Sequence, residues 1–420
     1  MTVPGSPIDT ELSAPRSGEL RGVKYERRLV ALLTLGNGIA ALDAQAVFYL
    51  MPFIVSELHI NNGQVGLIGT AVLVGWSISA LIVGLTSDRV GRRKPFLIGA
   101  YLCFAAFSGL SAVTQSFALL LFARLLMGLA EGPIIPIQQA MVMAESAPQR
   151  RGLNMGLVQN LGSQIIGTLA APIFLVWLAG QAGWRSSFLI SAIPALLVAG
   201  LVWKTLREPP AAALEPQEKV DATRAIKAVF TNRNVRMCIA IATCCVAWYF
   251  LLLTFLPLSL LKGLNLTPAM MSFVMSLIGV SGALSSFVVP GLSDRLGRRT
   301  VIILFCLVGV LAPLGVVLLG TNPMFIGFAV LVGALMIGNL SLLMGTVPQE
   351  SVSPAHRATA TALVLCVSQL LGGMVGPALG GRLADQFGLM APMILAAGLA
   401  ALAGLIAIGL RETREPRVVR

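Results

Sequence analysis

"GLTSDRVGRRKPF" (residues 84–96) returns in the second half of the chain as "PGLSDRLGRRTVI" (residues 290–302). Asp88 and Asp294 stand 206 residues apart. The echo is not isolated. "ESAPQRRG" (145–152) resembles "ESVSPAHRA" (350–358), Ser163-Gln164 matches Ser368-Gln369, and Ala171-Pro172 matches Gly376-Pro377, the last two pairs at an offset of 205. A chain of 420 residues that repeats itself at an offset of 205–206 reads as two homologous halves.

What surrounds the repeat sets the fold class. Hydrophobic residues make up 56% of the chain and charged residues 11%, too little charge to cover a water-soluble domain of this length. The apolar residues fall in about twelve blocks of roughly 20 residues, the length that spans a bilayer as a helix. They lie near 29–54, 65–86, 95–115, 117–143, 153–178, 186–204, 236–261, 269–289, 300–319, 323–346, 357–382 and 388–410. Backbone polar groups in lipid must bond within their own segment, so the blocks read as helices. The weak alternation of a membrane β-barrel is absent. The expected fold is an all-α membrane protein, with twelve transmembrane helices in two pseudo-symmetric six-helix bundles around a central cavity. The expected domains are a disordered tail (1–28), an N-terminal bundle (29–204), a polar linker (205–235), a C-terminal bundle (236–410) and a short tail (411–420). Residues 1–28 lack the apolar core of a signal peptide, so the first span is expected to insert uncleaved.

The net charge of +12 could suggest nucleic acid, but its distribution argues otherwise. With an inside N-terminus, 26 of the 30 basic residues fall on one side of the twelve spans. Only Arg185, Lys262 and Arg382 fall on the other, and Arg124 lies within a span. This is the positive-inside pattern, so the charge sets topology and no nucleic-acid partner is expected. Both termini and the linker are placed in the cytoplasm, and the membrane is expected to be a bacterial inner membrane. Cys103, Cys238, Cys244, Cys245, Cys306 and Cys366 all fall within spans and read as packing residues.

The "G-x-x-x-D-R-x-G-R-R" loop between spans 2 and 3, with its copy between spans 8 and 9, resembles the signature loop of the major facilitator superfamily. The resemblance covers essentially the whole chain. It implies a secondary transporter working by alternating access, with spans 1, 4, 7 and 10 lining the cavity. Gly84, Asp88, Arg89, Gly91, Arg92 and Arg93, with Asp294, Arg295, Gly297 and Arg298, would then form the gating loops. Physical roles fit them. Asp88 can cap a neighbouring helix N-terminus, Gly91 permits a tight turn, and the arginines stay at an anionic membrane surface.

Within the spans charge is scarce. "RLLMGLAEGPIIP" (124–136) sets Arg124 and Glu131 seven residues apart, on one helical face, and Asp43 is the other acid deep in a span. Such residues are expensive in lipid and commonly face a cavity. The stretch is similar to span 4 of the anion:cation symporters, some of which carry aromatic acids. That resemblance implies proton coupling by Asp43 and Glu131 and binding of an organic anion by Arg124. A carboxyl group in a low-dielectric cavity favours its neutral form, which suits loading and release of a proton. Such symporters often carry an Arg just after the span-1 acid, where this chain has Ala44. Neutral substrate contacts are expected from Gln45, Tyr49 and Gln164 in the first half and from Trp248, Tyr249, Asn339 and Gln369 in the second. The competing structural readings are an Arg124–Glu131 ion pair, a packing role for Asp43, and an interfacial anchor for the aromatic cluster at 248–250.

The function expected is proton-coupled uptake of a small organic anion, by a monomer that needs no cofactor or metal. The alternative is a proton-driven efflux antiporter, although span 5 reads "GTLAAPIF", with Ala171 where effluxers of the superfamily place Gly. An enzyme is not expected. The two histidines, His59 and His356, sit at span ends on opposite sides, and no metal or nucleophile motif is present.

Overall fold

The computed structural model describes residues 17–147, 150–209, 227, 229–320, 322–353 and 356–413. Among these, ten helices are long and apolar enough to cross a membrane. The longest, Arg151–Thr205, is broken at Gly183 (φ 78°, ψ 158°), a conformation that glycine adopts freely. The break separates spans 5 and 6. With the shorter apolar helix Ala391–Ala407 as span 12, the arrangement is the twelve-helix, two-bundle membrane fold.

The spans are, in order, Lys24–Leu58, Asn62–Ala80, Lys94–Ala112, Phe117–Glu145, the two parts of Arg151–Thr205, Arg233–Gly263, Pro268–Leu296, Arg298–Leu318, Pro323–Glu350, Thr359–Phe387 and Ala391–Ala407. Local sequence starts several of them. Asn61, Ser116, Asn232, Thr267 and Asn322 each accept a hydrogen bond from a first-turn backbone N–H. Asn61 and Gln64 form a reciprocal capping box. Phe287, Leu318, Phe328 and Phe387 are each more than two-thirds exposed, as side chains facing lipid would be.

The expected tail is shorter than the sequence implied. The first helix begins at Ser17 and the span within it at Lys24, so both reach into the stretch read as tail. Two contacts anchor the extension. Glu26 accepts from Asn154 Nδ2 at 2.7 Å, and the Tyr25 hydroxyl accepts from the Arg207 backbone N–H at 2.9 Å. Similarly, span 7 starts at Arg233, three residues before the expected start of the C-terminal bundle at 236. Residues 1–16, 210–226 and 414–420 lie outside the described residues.

Small residues bring helices close. A Cβ on Gly128 would overlap the Val72 carbonyl of span 2, and one on Gly132 would overlap the Trp76 carbonyl. Gly162 meets Thr34 and Gly38 of span 1 in the same way. Span 5 carries π-helical turns at Leu157–Leu161 and Ser163–Ala170, a geometry frequent at functional sites.

The halves meet unevenly. On the face opposite the basic loops, Asp385 at the end of span 11 accepts from the backbone N–H groups of Asn62 and Gly63 at 2.9 and 2.8 Å. It thereby supplies an anionic cap to the N-terminus of span 2. Nearby, Thr70 Oγ1 donates to the Met374 carbonyl at 3.1 Å, and Gly66 packs against Pro377. Toward the basic face, a crevice of about 310 Å³ separates Gly152–Gln164 of span 5 from Ala283–Phe287 of span 8. The hydrogen bonds that join the halves here lie on the face opposite the basic loops.

Candidate functional site

A cavity of about 300 Å³ lies between the halves. That is the small end of the range for ligand pockets, about 300–1,000 Å³. Span 1 lines it with Asn37, Ala41, Ala44, Gln45 and Phe48, a set at helical spacing on one face. Gly69, Val72, Leu73 and Trp76 of span 2 join them, with Glu131 and Ile135 of span 4 and Gln159 and Ser163 of span 5. The second half contributes Tyr249, Phe250 and Leu253 from span 7 and Gln369 from span 11. Tyr249 and Phe250 meet edge to face, with ring centroids 5.4 Å apart. The lining thus offers aromatic faces, side-chain amides and one carboxyl group.

Glu131 reaches the cavity because its helix stops there. Phe117–Glu131 ends at Gly132-Pro133, and a new helix runs Ile134–Glu145. Pro133 and Pro136 supply no N–H to bond with the preceding turn, which interrupts the ladder at the acid.

Arg124 and Asp43 do not line this cavity; both lie within the N-terminal bundle with no exposure. Arg124 shares the face of Glu131 but sits two turns away, roughly 10 Å along the axis at 1.5 Å per residue. At that depth its guanidinium donates to Ser111 Oγ and stacks over the Phe188 ring, 4.7 Å from the centroid. Its Nε and Nη1 have no hydrogen-bond partner. Asp43 is turned about a third of a helical revolution from the cavity-facing set of span 1. It accepts from Ser108 Oγ at 2.5 Å and from Ser191 Oγ, leaving Oδ2 without a partner. Arg124 interacts electrostatically with both Asp43 and Glu131, so the three charges form one group that opens to the cavity at Glu131.

The neutral candidates divide. Gln45, Tyr249 and Gln369 line the cavity, and Gln369 Oε1 is buried with no hydrogen-bond partner. Tyr49 is fully buried behind Gln45, to which its hydroxyl donates at 2.5 Å. Thr168 Oγ1 donates to the same Gln45 oxygen at 3.3 Å, so Tyr49 and Thr168 hold the amide in place. Gln164 lies in the crevice between spans 5 and 8. Trp248 and Asn339 are in the C-terminal core, where Trp248 Nε1 donates to the Gly309 carbonyl and Asn339 Nδ2 to the Ile302 carbonyl, each at 3.1 Å. Asn37, Phe48, Trp76 and Gln159 are cavity residues that sequence reasoning missed. The spacing of Asn37, Ala41, Ala44 and Phe48 on span 1 would have found the first two.

The two signature loops share a device. Gly91 (φ 66°) and Gly297 (φ 96°) both turn the chain in a region that favours glycine. The next helix is then capped by a carboxylate from the end of the same half. Glu208 accepts from the backbone N–H groups of Arg93 and of Lys94, the latter at 3.1 Å. Glu412 accepts from those of Arg298 and Arg299 at 2.8 and 3.1 Å. Arg93 Nη1 donates to Ser87 Oγ at 2.8 Å. Arg298 pairs with Asp294 and, at 3.1 Å, with Glu350. The Asp88 and Arg89 side chains and the surroundings of Gly84 lie outside the described residues. Arg92 and Arg295 sit at the two helix ends beside these turns.

The family model of the Major Facilitator Superfamily matches residues 33–372, most of the chain. The chain belongs to this superfamily. It is therefore a multi-pass membrane transporter and not an enzyme. It is 25% identical over 401 residues to a putative niacin/nicotinamide transporter of Bacillus subtilis, covering 93% of this chain and 97% of that one. It is 29% identical over 372 residues to the 3-(3-hydroxy-phenyl)propionate transporter of Escherichia coli, covering 86% and 89%. Among solved structures, a bacterial homologue of the human lysosomal transporter Spinster, inward-facing and unoccupied, matches with a TM-score of 0.74 at 18% identity. That match covers 94% of this chain and 99% of the other.

Proposed function

We propose that this superfamily member carries a small aromatic organic acid together with protons, in the uptake direction, by alternating access. The observation that carries the reading is the cavity lining: aromatic rings and amides surround Glu131, and no basic side chain is among them. An anionic substrate and an ionised Glu131 would repel each other strongly in so small and poorly solvated a space. The anion therefore binds when Glu131 is protonated, and Glu131 releases its proton when the anion has left. The cavity holds one negative charge at a time, which ties the two movements together. Behind Glu131, Arg124 and Asp43 act as a fixed charge pair that tunes the acid and does not touch the substrate.

Phe48, Trp76, Tyr249 and Phe250 supply faces for a planar ring. Gln45, with its orientation fixed by Tyr49, and Gln369 supply hydrogen bonds to a carboxylate or ring substituent. The Bacillus subtilis and Escherichia coli relatives are named for niacin/nicotinamide and for 3-(3-hydroxy-phenyl)propionate, which supports the same substrate class. The proposed setting is a bacterial inner membrane, with both termini, the linker and the basic loops on the cytoplasmic side. The test is uptake of labelled aromatic acids into proteoliposomes under an imposed pH gradient. Uptake indifferent to the gradient would sink the proton-coupling proposal.

A second reading follows from the same lining. A cavity in which a carboxyl is the one acid or base among the described lining residues, apart from the weakly acidic Tyr249 phenol, also suits a neutral or cationic aromatic compound exported in exchange for protons. The sign of the pH dependence separates the two. Binding of an anion strengthens as pH falls and Glu131 is neutralised; binding of a cation strengthens as pH rises.

A further inference from the structure

A second groove, of about 500 Å³, runs between spans 1 and 5 on the basic face of the N-terminal bundle. Its floor is apolar: Val30 and Leu35 from span 1, with Leu157, Leu161 and Ile166 from span 5. Leu35 and Leu161 are 40% and 38% exposed, so the trough is open along its length. Its mouth is lined by Arg27 and Arg150. The described residues give neither guanidinium an acceptor. The one acid in the wall, Glu26, is 5% exposed, with its carboxyl turned into the protein onto Asn154 Nδ2 at 2.7 Å. The mouth therefore presents unpaired positive charge, and the body presents hydrocarbon.

The dimensions match one kind of molecule. From Arg27 to Leu35 the groove follows span 1 for roughly 12 Å at 1.5 Å per residue. One leaflet of a bilayer is about 15 Å of hydrocarbon, half of a core about 30 Å thick. The arginines stand at the end of the spans that carries the basic loops, where anionic headgroups and basic side chains attract. We propose that this groove is a binding site for one anionic phospholipid, with its phosphate between Arg27 and Arg150 and an acyl chain lying along Leu35, Leu161 and Ile166. Arg is suited to the role because its planar fork meets phosphate oxygens in pairs. The groove shares no residue with the central cavity, although Leu157 and Leu161 also line the crevice between spans 5 and 8.

The test uses the purified full chain in neutral detergent. Binding of phosphatidylglycerol and phosphatidylcholine is titrated by native mass spectrometry and by thermal shift. Phosphatidylglycerol is expected to bind at least tenfold more tightly than phosphatidylcholine. The double variant Arg27→Gln/Arg150→Gln is expected to erase that preference, and Lys24→Gln/Arg28→Gln, which changes exposed charges outside the groove, to keep it. Leu161→Trp fills the trough while sparing both arginines, and is expected to weaken phosphatidylglycerol as well. It also serves as the second probe should the double arginine variant not fold. Equal binding of the two lipids, or an unchanged preference in the double arginine variant, overturns the site. Full displacement of the lipid by inorganic phosphate, with no effect of Leu161→Trp, overturns the lipid assignment in favour of a free-anion site.

Discussion

The two halves of this transporter keep the same scaffold and differ in what they place inside it. At the 205-residue offset, Asp43 corresponds to Trp248, Arg124 to Ala329 and Glu131 to Met336. The first half uses its three positions for charge, held by Ser108, Ser111 and Ser191. The second half uses them for packing. Trp248 Nε1 bonds the Gly309 carbonyl, and Met336 closes against the same glycine. A buried charge needs a dedicated set of hydrogen-bond partners, whereas an apolar side chain needs only volume. One bundle can therefore carry ion chemistry while its twin serves as a rigid wall that contributes rings and amides.

The largest effect expected from breaking this contrast is on stability. Arg124→Ala removes the cation whose field reaches buried Asp43 without touching it, which should destabilise the protein by about 3 kcal/mol, the low end of the range for a broken buried pair. The double variant Asp43→Asn/Arg124→Met removes both charges and should recover most of that loss. Thermal unfolding in detergent distinguishes the cases. If the single and double variants melt alike, the two residues do not act as a pair. In the second half, Met336→Leu should cost under about 1.5 kcal/mol, as volume-conserving apolar exchanges do.

Next in size is the effect of Glu131→Gln on transport. The variant keeps the shape of the lining but cannot release a proton. Gradient-driven accumulation should fall by about two orders of magnitude, the lower end of the range for removing one proton-transfer group. Exchange of labelled for unlabelled substrate across the membrane needs no net proton movement and should survive. Loss of both activities together would instead assign Glu131 to substrate binding or to structure.

These contrasts were legible in the sequence to different depths. The blocks of about 20 apolar residues and the repeated loop carry the architecture, because in lipid length and hydropathy leave the backbone few choices. The rarity of charge within spans singled out Asp43, Arg124 and Glu131. Their separation into two buried charges and one cavity acid was not legible, because it depends on depth and on which neighbours fill the bundle. Arg124 and Glu131 share a helical face, yet only the latter is where the halves part. Trp248 and Tyr249 are adjacent in sequence and point to different places, one into the core and one into the cavity. The lining by spans 2 and 11 follows from how the halves tilt against each other, which single-helix patterns do not encode. One further signal was present and unread. "LRE" occurs at 206–208 and again at 410–412, and its glutamates turn out to be the paired helix caps.

A smaller effect is expected where the halves touch. Asp385 joins span 11 to the start of span 2 through two backbone N–H groups. Asp385→Ala removes this cap, worth about 1–2 kcal/mol. The face opposite the basic loops should then open more often, by roughly fivefold to thirtyfold on the scale where 1.4 kcal/mol is a factor of ten. The measurement is the labelling rate of Gln369→Cys by a membrane-impermeant thiol reagent added from that face. An unchanged rate in the Asp385→Ala background would show that the apolar packing of Gly66 on Pro377 alone sets the closure.

The smallest effect is a difference between two similar numbers, and it tests whether the scaffold is as symmetric as it looks. Glu208 and Glu412 each cap a helix that follows a left-handed glycine turn, each through two consecutive backbone N–H groups. Loss of a cap costs about 1 kcal/mol in either place, so Glu208→Ala and Glu412→Ala should destabilise by equal amounts within about 0.5 kcal/mol, the scatter of independent sites. Beside the second turn, Arg298 is held by both Asp294 and Glu350, so Arg298 keeps two anionic partners when Glu412 is lost. Partly exposed pairs of this kind contribute little, typically under about 1 kcal/mol, which is why the two substitutions are still expected to agree. A clear excess for Glu208→Ala, measured by chemical denaturation of the two variants side by side, would mean that the ion pairs around Arg298 reinforce the second turn. The symmetry would then hold for the backbone of the loops and not for their energetics.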